Sequence, residues 1–113
     1  MPPENDLIRI RHMVEAGQSA LTFVGGRSRS DLDGDRMLLM ALVQAIQVVG
    51  EAAMKVGDET RRSLPDVPWA SIVAMRHRLV HAYFDIDTAV VWSTVQEDLE
   101  PLVTRLSSWL ETQ

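Results

Sequence analysis

The stretch MLLMALVQAIQVV, residues 37–49, is apolar on almost every side when it is wound into an α-helix. Only Gln44 and Gln47 interrupt the run. A helix on the surface of a small monomer normally carries a polar face opposite its apolar stripe. The stretch therefore predicts a central helix that buries two faces, one in the core of its own chain and one against a second subunit.

The first part of the chain contains two further segments that are predicted to be helical, one before and one after the central helix. A first helix is predicted from about Asp6 to Val24, capped by Asn5 or Asp6 and ended by Gly25–Gly26. The central helix is expected to open after residue 33, with residue 35 in its first turn, and to run to about residue 56. A short helical turn, Asp58–Ser63, is expected to follow.

Two further helices are predicted in the second half of the chain. Pro68 suits the first turn of a third helix, which should fray near Ala82 to Asp85. Asp87 is expected to cap a fourth helix, and Pro101 lies inside its apolar stripe and should kink it. No β-strand signal is present. The prediction is a single all-α domain over residues 1–113, folded as an up-and-down four-helix bundle.

Composition limits where the protein acts and what it binds. The chain lacks cysteine, its first residues do not form a signal peptide, and no stretch approaches the uninterrupted apolar run of a membrane span. The expected location is therefore cytoplasmic, with no membrane partner. A net charge of −5 argues against a broad nucleic-acid surface. A local anion site is still predicted, because residues 67–84 contain four basic side chains and no acid: Arg76, His77, Arg78 and His81.

The same segment contains residue types that can transfer protons and bind a phosphate group. Histidine titrates near neutrality and can act as a general acid or base, and arginine keeps its charge and binds phosphate oxygens. If His81 is the histidine that transfers protons, a two-fold dimer that brings two His81 and two Arg76 together would supply both a general base and a general acid. Residues five apart on an ideal helix point about 140° apart. Arg76 and His81 can therefore converge only if the helix ends between them, or if each serves a cleft shared by two subunits.

Arg76, His81 and Tyr83 also form the pattern R-x4-H-x-Y. With this pattern the chain resembles HepT-like proteins of the HEPN superfamily. The resemblance extends over nearly the whole chain, through the segments at residues 6–10, 46–53, 68–69, 91–92 and 98–99. His77 is a departure, because the family usually has a small polar residue after the arginine.

The resemblance implies a dimeric, HEPN-like four-helix bundle that acts as a metal-independent ribonuclease toxin, without a cofactor. Arg76 and His81 would be catalytic, and Glu51, His77 and Arg78 would support them. The implied antitoxin is a minimal, MntA-like nucleotidyltransferase encoded nearby. It would transfer AMP to Tyr83 and so neutralise the toxin.

Several alternatives stay open at this point. Glu51 is either the partner of Arg76 or an exposed residue, and Tyr83 is either the modified residue or an interface aromatic. His77 and His81 have the spacing of a helical two-histidine metal site, but no third ligand is evident, so no metal is predicted. The alternative function is a non-catalytic binding module that partners a nucleotidyltransferase.

Overall fold

The computed structural model describes residues 2–82 and 85–113, with residues 76 and 80–82 described by their backbone only. The chain is mostly helical. Its elements are, in order, α1 (Glu4–Phe23), α2 (Asp31–Gly34), α3 (Arg36–Met54), α4 (Asp58–Arg62), α5 (Trp69–Leu79), β1 (Val80–Ala82), β2 (Asp85–Ile86), α6 (Thr88–Ser93), a π-helical segment (Thr94–Leu99) and α7 (Glu100–Glu111).

The central helix α3 organises the packing, as its apolar sequence predicts. It packs against both α1 and α5, and α1 packs in turn against α7 and the π-helical segment. The core has fully buried side chains from each of these helices: Ile10, Met13, Leu42, Ile46, Val49, Leu79, Leu99 and Leu106. The helical class is confirmed, and the up-and-down order of four helices stays a prediction.

One face of α3 is not covered by its own chain. Met37 is 84% exposed, Met40 is 45% exposed and Met54 is 50% exposed. By length and composition alone α3 could also cross a membrane. However, 56% of that window is buried inside the fold, as expected of the central helix of a bundle. The contact of the exposed face with a second subunit stays a prediction.

The start of α1 differs from the sequence prediction. Asn5 and Asp6 lie inside the helix, which begins after Pro3 without a side-chain cap. The Asp6 carboxylate is buried and accepts a hydrogen bond from the Thr60 hydroxyl at 2.6 Å and from the Gly57 N–H at 3.3 Å. Asp6 therefore fastens α4 to α1 instead of capping its own helix, because these partners hold its carboxylate.

The start of α3 also differs, because the short helix α2 precedes it. Asp35 lies before the first turn of α3 as its N-cap and accepts a hydrogen bond from the Leu38 N–H at 3.0 Å. The Arg27 guanidinium donates to the same carboxylate at 2.6 Å. Hydrogen bonds from Arg27 and then from Leu38 lower the pKa of Asp35. The loop after α1 is thus tied to the beginning of α3.

The last helical stretch changes its hydrogen-bonding pattern just before Pro101. The segment Thr94–Leu99 is π-helical, and Pro101 lies in the first turn of α7. Proline has no N–H to donate to the carbonyl four residues earlier, at Glu97. In a π-helix each N–H donates to the carbonyl five residues earlier instead of four. The π-helical segment therefore lies where a continuous α-helix would lose one of its hydrogen bonds. Asp87 caps α6 as predicted, accepting from the Val90 N–H at 3.1 Å.

Candidate functional site

The helix that carries the predicted site is held firmly at its N-terminal end. The Trp69 indole N–H donates to the Leu64 carbonyl at 3.1 Å, and the Arg61 guanidinium lies 5.4 Å from the centroid of the indole ring. Further along, a Cβ added to Gly50 of α3 would lie 3.3 Å from the Ile72 carbonyl oxygen. Glycine at this position allows the two helix backbones to approach closely. The position of α5 along α3 is therefore well defined.

The C-terminal end of α5 differs from the sequence prediction, because a small β-hairpin follows it. The helix ends at Leu79, and β1 then pairs with β2 in antiparallel fashion, with Val80 opposite Ile86. The Asp87 N–H donates to the Leu79 carbonyl at 2.7 Å and brings the two ends of this hairpin together. The sequence shows no strand signal here, and these two short strands leave the fold in its mostly helical class. The β-branched residues Val80 and Ile86 suit the extended conformation.

The end of the helix lies between the two predicted catalytic residues. Arg76 is in the last turns of α5, and His81 is in β1. The separation of 140° that an ideal helix would impose therefore does not apply to this pair. The side chains of both residues, and all of Tyr83, lie outside the described residues. Their catalytic and modification roles stay predictions.

The three residues predicted to support catalysis lie on two helices, α5 and α3. His77 and Arg78 are exposed near the end of α5, where a phosphate could reach them. Glu51 is exposed on α3, next to the Gly50 contact with α5. Its pairing with Arg76 stays a prediction. Among the described residues, no group of three or more His, Asp or Glu side chains could hold a metal ion.

Sequence reasoning missed a cleft of about 330 Å³ between α5 and the last helical stretch. Its buried, apolar side chains are Val67, Ile72, Met75 and Leu102. Its charged side chains come from four parts of the chain: Asp66, Arg78, Glu97, Asp98 and Arg105. Two of its lining residues had been singled out in the sequence, Pro101 as a break in the last helix and Arg78 as part of the basic segment, but nothing in the sequence indicated that they meet in one cleft.

The charges of the cleft are only partly paired. Arg105 Nε donates to Asp66 Oδ2 at 2.7 Å, and this hydrogen bond lowers the pKa of Asp66. Arg78, Glu97 and Asp98 make no hydrogen bond or ion pair through their side chains within the described part of the chain. The cleft therefore offers a donor group and acceptor groups to a ligand.

Comparison with known proteins identifies the family. The model of the family described as ribonuclease HepT-like matches residues 13–108, which include α5, the hairpin and most of the cleft-lining helices. The chain belongs to the ribonuclease HepT-like family. The family resemblance seen in the sequence is thus confirmed.

Curated relatives of this HepT-like chain bear ribonuclease names. A probable ribonuclease HepT of Thermococcus cleftensis is 37% identical over 68 residues, which cover 60% of this chain and 62% of that protein, less than two thirds of its length. A candidate RNase of Methanocaldococcus jannaschii is 29% identical over 77% of this chain and 80% of that protein. Another, from Caldanaerobacter subterraneus subsp. tengcongensis, is 27% identical over 92% of this chain and 93% of that protein. No solved structure matches the chain significantly.

Proposed function

We propose that this HepT-like chain is a homodimeric, metal-independent endoribonuclease that acts in the cytoplasm as the toxin of a toxin–antitoxin pair. Membership of the ribonuclease HepT-like family carries the proposal. The end of α5 at Leu79 supports it, because Arg76 and His81 then belong to two different elements. The separation of about 140° that one continuous helix would impose on their side chains therefore does not apply.

In the proposed reaction the 2′-hydroxyl of a ribose attacks the adjacent phosphorus atom. One His81 imidazole accepts the hydroxyl proton, and a second, protonated His81 gives a proton to the departing 5′-oxygen. The products are a 2′,3′-cyclic phosphate and a free 5′-hydroxyl. Arg76 balances the charge that builds on the phosphorane, where preorganised positive charge is worth most.

The need for two His81 side chains makes the dimer part of the catalytic proposal. The exposed methionines Met37 and Met40 near the start of α3 support such an assembly, because large apolar side chains left in water on a small protein commonly mark an interface. A two-fold axis would place the same helix face of both subunits against each other.

Neutralisation is proposed to occur on Tyr83. A minimal nucleotidyltransferase encoded nearby would transfer AMP to its hydroxyl, releasing pyrophosphate from ATP. The added phosphate carries negative charge, and the purine adds bulk two residues from His81. Both effects would exclude the RNA backbone from the site.

The decisive experiment is cleavage of RNA by the purified protein in the presence of EDTA. We expect the wild type to cleave and His81→Ala to be inactive. His12→Ala is a matched control, because His12 is exposed on α1, a helix that contains none of the predicted site residues. His77→Ala tests the departure from the family pattern. If His77→Ala alone is inactive and His81→Ala still cleaves, the proton-transfer role belongs to His77. If the wild type does not cleave RNA, the proposed activity is wrong.

A further inference from the structure

The cleft between α5 and the π-helical segment has the make-up of a small-ligand site. Its volume of about 330 Å³ is at the lower end of the range for such sites, which combine an apolar lining with a few polar groups. Its apolar surface comes from Met75 and Ile72 of α5 and Leu102 of α7. The opposite wall contains Glu97 and Asp98 of the π-helical segment, a type of helix often found at functional sites.

We infer that this cleft binds a guanine base of the RNA substrate. The inference rests on the proposed function, because it assumes that RNA is bound near the end of α5. Single-stranded RNA is commonly recognised through bases that leave the stack and present their edges and faces to the protein. The apolar floor of the cleft suits the face of a base, and the charged rim suits its edges.

The charge of the cleft favours a base over a phosphate. Among the residues that the structure describes, its lining contains three carboxylates, Asp66, Glu97 and Asp98, and two guanidiniums, Arg78 and Arg105. Arg105 is already engaged by Asp66. A phosphate bound here would gain Arg78 but would be repelled by Glu97 and Asp98. A neutral base meets no such repulsion.

Among the four RNA bases, guanine matches these groups best. Its Watson–Crick edge presents two adjacent donors, N1–H and the N2 amino group, which one carboxylate of Glu97 or Asp98 can accept together. Its O6 and N7 atoms are paired acceptors, which an arginine such as Arg78 can bind in bidentate fashion. Adenine, cytosine and uracil lack the adjacent pair of donors.

The cleft also lies close to the predicted catalytic segment. Arg78 is one residue from the end of α5 at Leu79 and three residues from His81. A nucleotide held through its base at Arg78 would therefore be near the RNA chain that enters the proposed site. This position would make the cleft a specificity subsite, separate from the groups that move protons.

The test is a titration of the ¹⁵N-labelled full chain with guanosine, adenosine, cytidine and uridine, followed by backbone NMR. Guanosine is expected to shift the resonances of Ser71, Met75 and Leu102 and to bind about tenfold or more tightly than the other nucleosides. Glu97→Ala combined with Asp98→Ala should remove this preference. Glu100→Ala is the matched control, because Glu100 is exposed next to the cleft but does not line it.

A second pair of variants tests the cleft by filling it. Ser71→Trp should block guanosine, because Ser71 lines the cleft, whereas Ala70→Trp should not, because Ala70 is exposed on α5 outside it. Equal binding of all four nucleosides, no binding, or shifts confined to other surfaces would overturn the inference. Such a result would also leave the cleft to another class of ligand, such as a peptide of a partner protein. Because nucleoside binding needs no cleavage, its failure is distinguishable from failure of the proposed ribonuclease activity.

Discussion

The Asp87 N–H donates to the Leu79 carbonyl across 2.7 Å and joins the beginning of α6 to the end of α5. Between these two residues the chain leaves α5, forms the β1–β2 pairing and comes back to the end of α5, where α6 begins. The predicted catalytic residue His81 lies on this excursion. The bond therefore holds the ends of the segment on which the proposed chemistry depends.

Two substitutions at Asp87 separate its roles. Asp87→Ala removes the side chain that caps α6 and should cost about 1 kcal/mol of unfolding free energy. Asp87→Pro removes the cap and also the N–H that reaches Leu79, which should cost about a further 0.5–1.5 kcal/mol. We expect only the proline variant to lose most RNA cleavage, measured on protein shown to be folded by circular dichroism. Equal activity of the two variants would mean that the Leu79–Asp87 bond does not position the site.

The exposed face of α3 is expected to form the dimer interface. Met40→Glu should convert the wild-type dimer into a folded monomer of 12.7 kDa, because it places a charge in an apolar contact. The monomer should be inactive, since it lacks the second His81. Sedimentation at micromolar concentration measures the change. Thr104→Glu, at an exposed position of α7, is the control. A wild-type monomer would argue strongly against a site shared by two subunits.

The buried carboxylate of Asp6 is expected to be a major support of the fold. Asp6→Ala would leave the Thr60 hydroxyl and the Gly57 N–H without their acceptor. Hydrogen bonds to charged groups are worth about 1.5–3 kcal/mol, so the unfolding free energy should fall by about 2–3 kcal/mol. Urea denaturation measures the loss, with Asn5→Ala at the exposed neighbouring position as control. A loss no larger than that of the control would show that α4 is held by other contacts.

The ion pair in the cleft predicts a dependence on pH. The hydrogen bond from Arg105 lowers the pKa of Asp66 in the folded state below its ordinary value of about 3.9. The stabilisation is therefore complete above that ordinary value and is lost as the pH falls through the lowered, folded-state pKa. Arg105→Met should raise the pKa of Asp66, as measured by NMR titration of the carboxyl carbon. Arg36→Met, on the exposed start of α3, should leave it unchanged.

Tyr83→Phe tests the proposed neutralisation. Without the hydroxyl the partner nucleotidyltransferase cannot attach AMP, so the variant should cleave RNA and arrest growth even when the partner is present. Intact-mass spectrometry of the wild type after incubation with the partner and ATP should show one added AMP. If Tyr83→Phe is still neutralised, or if the AMP is found on another residue, the assigned role of Tyr83 is wrong.

The sequence by itself determined the long helices, the family resemblance and the residues to which chemistry can be assigned. The apolar run of α3, the Gly25–Gly26 end of α1 and the Asp87 cap of α6 were all predictable. Each depends on side chains and backbone groups within about four residues of one another. The apolar run repeats with the period of the helix, and the cap and the glycine end are local signals at its termini, so all three are visible in a single stretch of sequence.

Only the tertiary structure decided how Asp6 is used, where α5 ends and that a cleft exists. Asp6 serves α4 instead of its own helix because its partners are 51 and 54 residues away. The end of α5 at Leu79 depends on the hairpin and on Asp87, and the cleft depends on α5 and α7 being brought together. Contacts between residues far apart in sequence leave no periodic signal, because they arise only when packing places separate helices side by side.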